Sequence, residues 1–356
     1  MFRKILITIL FHCFIASLLF LPPSVIAQEK EEILEGTVIE VLEEKLPYQK
    51  LEILITKGSL EDKKIQIETG KMPAANQPVY QKSDELLISS SKDLNGNNIY
   101  FINDFIRKKP IFWLALIFTV LVLAVARWRG LASILGLGIS FAVIFVFILP
   151  CILAGKDPVL VVLAGSLAIV PTTFYLSHGI NKKTTIAITA ALLTLFISII
   201  LSILFVNGAK LTGFASEEAG FIQSFKQGSI NIKGLLLAGI IIGLLGILDD
   251  VTVNQTAVVE QLKKANNKLN LKQLYVQSMA VGSDHIASMV NTLILVYAGA
   301  SLPLLLLFVD NPHPFGEVIN YEIVAEEIVR MLIGSIGLVL AVPLASFLAA
   351  WWFSKK

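Results

Sequence analysis

Charge, cysteine and histidine are all scarce in this chain. Of its 356 residues only 16% are charged, 2 are cysteine and 4 are histidine, while 55% are hydrophobic. So little charge cannot clothe one soluble core of ordinary composition. The net charge of +2 offers no broad basic face, so no nucleic-acid partner is expected. Cys13 and Cys151 lie far apart in apolar runs. That spacing has no disulfide framework and no CxxC ligand pair, and both read as small apolar residues. The HExxH, GxSxG and GxxxxGK[ST] signatures are missing as well. The chain therefore reads as no enzyme and no cofactor is expected. One catalytic alternative stays open, an intramembrane hydrolase or phosphatase pairing Asp249 or Asp250 with Asp284 through a metal. The adjacent Asp249 and Asp250 are not themselves a dyad, since neighbouring helix positions point about 100° apart.

What is present is apolar sequence in long blocks. The N-terminus has Arg3 and Lys4, an apolar run from Ile5 to Leu21, then Val25 and Ala27 ahead of a charged stretch. This is the three-part pattern of a secretory signal, cleaved after Ala27 or retained as an anchor, and it covers residues 1–27. Either outcome puts Gln28 onward outside the cytoplasm.

Residues 28–108 hold the polar part. Short alternating runs recur there (GTVIEVLEE, YQKLEILITKG, KKIQIETGK, VYQKSDELLISSS, NNIYFINDF), punctuated at Lys57-Gly58, Thr69-Gly70 and Asn95-Gly96. The pattern predicts four or five strands in a small β-barrel-like domain, OB-like in outline, or a β-sandwich. A binding or positioning role without catalysis fits it.

Beyond Pro110 the polytopic part, 109–356, begins. Runs of about 20 apolar residues can each cross a ~30 Å hydrocarbon core. They fall near 111–127, 131–150, 158–176, 184–206 and 234–250, with a sixth at 286–309 broken by Gly299 and Pro303 and a seventh at 331–353. The fold class is thus mainly α, about seven transmembrane helices behind a small extracytoplasmic β domain. Counting Lys and Arg between the runs puts Arg127, Arg129, Lys182, Lys183, Lys263, Lys264, Lys268, Lys272, Lys355 and Lys356 on one side, the cytoplasmic one. The C-terminus is then inside, in a multi-pass protein of the cell membrane. The outer connections hold only Lys156, Lys210, Lys226 and, at the edges, Lys233 and Arg330, and one cluster, Arg107 to Lys109 on the outer side of the first span, disagrees.

An ionisable group at mid-bilayer costs roughly 2.5 to 3.5 kcal/mol, so polar residues beside spans are the first candidates for function. They gather in SHGINKKT (His178, Asn181), in LDDVTVNQ (Asp249, Asp250, Asn254, Gln255) and in GSDHIASMVN (Asp284, His285, Ser288, Asn291). All three stretches fall at cytoplasmic helix ends in this topology and could converge in one polar vestibule. Such a vestibule would handle a proton, a metal ion or a small solute. Gly239, Gly243 and Gly246 space small residues for close helix packing. Pro171, Pro303 and Pro343 interrupt apolar runs, and Pro303 is the break most worth inspection. In the longest outer connection SEEA predicts a short helix capped by Ser216, interfacial or re-entrant.

The stretches GLLGILDDVTVNQ (243–255), GSDHIASMVNTLILVYAGASLPLLLLF (282–308), LTGFASEEA (211–219) and HGINKKT (178–184) resemble the YibE/F-like bacterial membrane proteins. The resemblance runs from about residue 35 to the C-terminus. It implies a multi-span protein of the bacterial cytoplasmic membrane and singles out the segments around Asp249, Asp250, Asp284 and Asn291. Ser283 departs from the basic residue expected there, which weakens any scheme needing a cation beside Asp284. No substrate comes with the resemblance. The leading expectation is a permease or channel component in the lipid bilayer. The alternative is a sensor or scaffold whose outer domain binds an envelope protein.

Overall fold

A computed structural model describes residues 32–71, 78–92, 98–225, 229–309 and 314–355. The signal segment and the Asn95-Gly96 turn lie outside these residues. The chain divides into two compact units, one ending at Ala124 and the other starting at Val125.

The first unit contains five strands: β1 (Glu32–Lys45), β2 (Tyr48–Lys57), β3 (Lys64–Thr69), β4 (Glu85–Lys92) and β5 (Asn98–Phe105). They form one antiparallel half-barrel sheet in the order β3-β2-β1-β4-β5. The sandwich alternative falls away, because a single curled sheet buries one face. Alternation explains it: Leu34 and Val38, then Leu51, Ile53 and Ile55, then Ile65 and Ile67, and finally Leu86 and Ile88 all point inward. Register shifts along β1 bend that strand. At Gly36 an added Cβ would lie 2.7 Å from Ile53 Cγ2, so only glycine lets β1 and β2 pack this closely. Buried Gln49 ties the segment before β4 across the sheet. Its Nε2 donates to Tyr80 O (3.0 Å) and its Oε1 accepts from Tyr80 N (2.9 Å).

The basic cluster that defies the charge rule is matched here. Arg107 pairs with Asp104 (2.7 Å), Lys108 with Glu35 (2.6 Å) and Lys109 with Glu85. Each cation has a carboxylate of the sheet unit as partner. Lys108's hydrogen bond holds the Glu35 carboxyl below its ordinary pKa, and Arg107 does the same for Asp104.

Helices follow: α1 (Lys108–Ala142), α2 (Leu149–Leu153), α3 (Pro158–His178), α4 (Lys182–Gly208), α5 (Glu217–Phe225), α6 (Ile232–Ala265), α7 (Leu271–Ala300), α8 (Leu302–Val309), α9 (Phe315–Val318) and α10 (Glu322–Ser354). A π-turn at Val143–Ile148 joins α1 to α2, and α1 is broken at Arg127 (φ 51, ψ −128). Among the described residues 6 helices are long and apolar enough to cross a bilayer, the first running Lys108–Leu153. Length, composition and apolar surface together fit a membrane protein.

In the second unit α4, α6, α7 and α10 pack on one another around a core that includes Leu195, Leu244, Leu248 and Leu338. Pro171 and Pro343 do not interrupt their helices, which run on around them. A proline removes one backbone donor, and neighbouring packing absorbs that loss. Only Pro303, just past the end of α7, sits at a described break. The close helix contacts also fall elsewhere than the GxxxG pattern suggested. A methyl at Gly239 or Gly246 would meet nothing within 4 Å, and at Gly243 only the Tyr297 hydroxyl at 3.3 Å. At Gly282 it would lie 2.6 Å from Val342 Cγ1, and at Gly337 2.8 Å from Leu244 Cδ1. Those two glycines are where α10 closes on α7 and α6.

Candidate functional site

Both aspartates of LDDVTVNQ lie near the middle of α6, because this helix runs unbroken for 34 residues to Ala265. About 24 Å of helix follows Asp249 at ~1.5 Å per residue. Asp284 is likewise near the middle of the 30-residue α7. Neither lies at a helix end, and His178 alone does, as the last residue of α3.

His178 and Asp249 meet. The Nε2 to Oδ1 distance is 3.4 Å, with each side chain about one third exposed (34% and 36%). Asp249 Oδ1 is enclosed yet accepts no aligned hydrogen bond, so the pair is in contact without being locked. A carboxylate with a free lone pair beside an imidazole can accept a proton or hold a cation, and only a reorientation separates it from its neighbour.

Asn181 has a different task. As N-cap of α4 it accepts from Thr184 N (2.9 Å), and its Nδ2 donates to His178 O (2.9 Å) and Gly179 O (3.1 Å). It clamps the α3–α4 corner, fixing where His178 stands.

The next positions on α6 turn away in steps of about 100°. Asp250 is exposed and accepts from Asn254 Nδ2 at 2.6 Å. Gln255 is 2% exposed and bridges three helices: its Nε2 donates to Ser278 O on α7 (2.8 Å) and Ser346 Oγ on α10 (2.6 Å). On α7, Gly282 faces Gln255 and Val342. Asp284, two residues or about 200° further on, therefore looks away from α6. Asp284, Ser288 and Asn291 form an exposed stripe, with His285 half-buried beside it. The expected vestibule thus resolves into three environments: the His178–Asp249 contact, the Gln255 bridge and the outward α7 stripe. Among the described residues no group of three or more His, Cys, Asp or Glu side chains is placed to hold a metal ion.

A second polar cluster escaped the sequence reading. α5 is the short helix expected after Ser216, whose Oγ accepts from Ala219 N (3.2 Å). With α6, the α7–α8 break at Pro303 and the start of α10, it borders a half-open cavity of about 520 Å³ lined by Glu218, Glu326, Glu327 and Arg330. The signal was polar spacing at i, i+1 and i+4 on α10, which a count of loop charges had hidden.

No curated protein and no solved structure matches the chain. The family model described as YibE/F-like protein matches residues 114–355, spanning the broken first helix, the His178–Asp249 contact, the Gln255 bridge and α10. The helices that build the site are thus the matched region, and the chain belongs to the YibE/F-like protein family.

Proposed function

We propose that this chain is a transport-related protein of the cell membrane, a permease or channel component for a proton, a metal ion or a small solute. In this reading the break at Arg127 divides the first long helix into two spans, giving seven in all. The sheet lies outside and the C-terminus inside. Pairing of Arg107, Lys108 and Lys109 with sheet carboxylates supports that orientation, since three neutralised cations no longer oppose the charge rule.

One observation carries the reading. Asp249, mid-way along an apolar helix, keeps an enclosed, unbonded carboxylate oxygen 3.4 Å from His178. A structural ion pair would satisfy that oxygen, whereas a relay needs it free. Flux through proteoliposomes holding the full chain, read with a pH dye and then an ion panel, tests it. Asp249→Asn and His178→Gln should each cut flux roughly tenfold, the scale of one lost charge-assisted contact. Wild-type flux in both folded variants would end the proposal.

A scaffold reading has its own observation. Ile33 and Phe101 flank Ser89 across β1, β4 and β5 and are 61% and 53% exposed, a small apolar patch for an envelope partner. Loss of phenotype on deleting residues 30–105, with tolerance of Asp249→Asn, would favour it.

A further inference from the structure

The cavity beneath α5 holds two unsatisfied groups of opposite hydrogen-bonding sense. Glu326 is only 6% exposed, and its Oε1 is enclosed with no partner. One turn along α10, Arg330 Nε is enclosed and equally unpartnered, although its NH1 reaches Glu327 Oε1 at 3.2 Å. Buried polar atoms without partners are costly, and two lining one cavity point to something that occupies it.

Glu322 shows why Glu326 needs an outside partner. Its Oε1 accepts from Thr212 N, from Thr212 Oγ1 (2.8 Å) and from Gly213 N (3.1 Å), three donors that favour the ionised form. Glu326 lies one turn away on the same helix and is left facing another negative group. Around the cavity Glu218, Glu326 and Glu327 outnumber Arg330. The remaining walls are apolar, with Ile222, Leu235, Pro303 and Leu304. At about 520 Å³ the space is far larger than an ion and falls within the usual range for small organic ligands.

We propose that this cavity binds a small organic ammonium compound: its nitrogen on Glu326, a neutral hydroxyl or carbonyl oxygen on Arg330 Nε, and an apolar body against the α5 and α8 walls. A zwitterion suits it less, because its carboxylate would enter a site already in acidic excess. The site is separate from the His178–Asp249 contact, and its occupancy does not depend on transport.

Equilibrium binding to the purified full chain in detergent micelles, with no gradient, reads this site apart from flux. Leucinol, an amino alcohol, is the probe. It should bind saturably and more tightly than isoamylamine, which lacks the acceptor, and than leucine, which adds a carboxylate; isoamyl alcohol should not bind. Glu326→Gln should weaken leucinol roughly tenfold or more, the scale of a lost charge-assisted contact. Gly239→Leu provides the second variant. Its Cβ meets nothing within 4 Å, so the added side chain fills the cavity with every carboxylate in place and should also abolish binding. Equal binding of isoamyl alcohol, tighter binding of leucine, or undiminished leucinol binding in Gly239→Leu would overturn the proposal.

Discussion

The sheet unit and the helical unit both bury apolar side chains but differ in what they show outside. In the sheet, apolar side chains point inward and charges cover the outside: Leu51 and Ile53 are 0% exposed, while Lys64 and Glu52 pair on the other face (3.3 Å). In α4 apolar side chains lie on both faces, and the buried one mixes Leu195 and Ile199 with hydroxyls. Thr194 and Ser202 are buried and bond back to Ala190 O (2.8 Å) and Ser198 O (2.7 Å), while Phe196 and Leu204 are 57% and 60% exposed. Burial removes apolar surface from water in the first unit. In the second it satisfies hydroxyls and fits small residues together, and the outer surface suits hydrocarbon. One chain thus folds by two rules, and exposure means something different in each part.

Core truncation should separate the rules most widely. Leu51→Ala removes a fully buried side chain from the sheet and should cost about 2 to 5 kcal/mol, seen as lost amide protection across β1, β2 and β3 in hydrogen exchange. Phe196→Ala, on the outer face of α4, should change the protection of its own helix far less. Equal losses would mean that α4 also packs by excluding water.

Next comes close packing. Gly282→Val meets Val342 Cγ1 and Gln255 Nε2 and should destabilise the helical unit by about 1 to 3 kcal/mol, read as a lowered tryptophan-fluorescence melting temperature. Gly246→Val, with nothing within 4 Å, should be close to neutral there. If Gly246→Val were the more damaging, the seam expected from GxxxG would be the real contact.

These glycines also show what the sequence could reveal. A strand with water on one face and a core on the other writes a period of two into its residues, so five strand runs and the inward set Leu51, Ile53 and Ile55 were legible. Helices apolar all round write no such period. Sequence could say that 234–250 is an apolar run but not which face meets a neighbour, so Gly282 and Gly337 went unnoticed while Gly239 and Gly246 were favoured. The same silence affected the site. Polar residues flagged by membrane cost included Asp249 and His178, which do meet, and Asp284, which faces away, because cost names the residue and only packing gives its direction. Gln255 was flagged as a vestibule residue, yet its three-helix bridge needed the partners Ser278 and Ser346 from distant segments. The α5 cavity was invisible for the same reason, although Pro303 beside it stood out.

A smaller effect belongs to the α3–α4 corner. Asn181→Ala removes the cap on Thr184 N and the clamp on His178 O, and should cost about 1 kcal/mol. Amide exchange should rise in the first turn of α4 and at His178, with the rest of the bundle unchanged. Unaltered exchange there would mean that the tight turn at Gly179 alone holds the corner.

The smallest effect lies in the surface charges of the sheet, where acid gives the test. Glu35 in the folded chain has a pKa below its ordinary 4.5, first because Lys108 donates to it and then through the charges of Lys108 and Lys57. A lowered folded pKa binds fewer protons than the unfolded chain near that value, so stability is present above 4.5 and drains away as pH falls through the folded pKa. Asp104 and Arg107 act in the same direction. Both pairs are solvated, so the change is slight and salt-sensitive. Titration from pH 6 to pH 2 should therefore raise amide exchange at β1 and β4 before it touches α6, and Lys108→Ala should return the Glu35 pKa toward its ordinary value. Should α6 lose protection first, the unit with less charge would be the one more sensitive to protons.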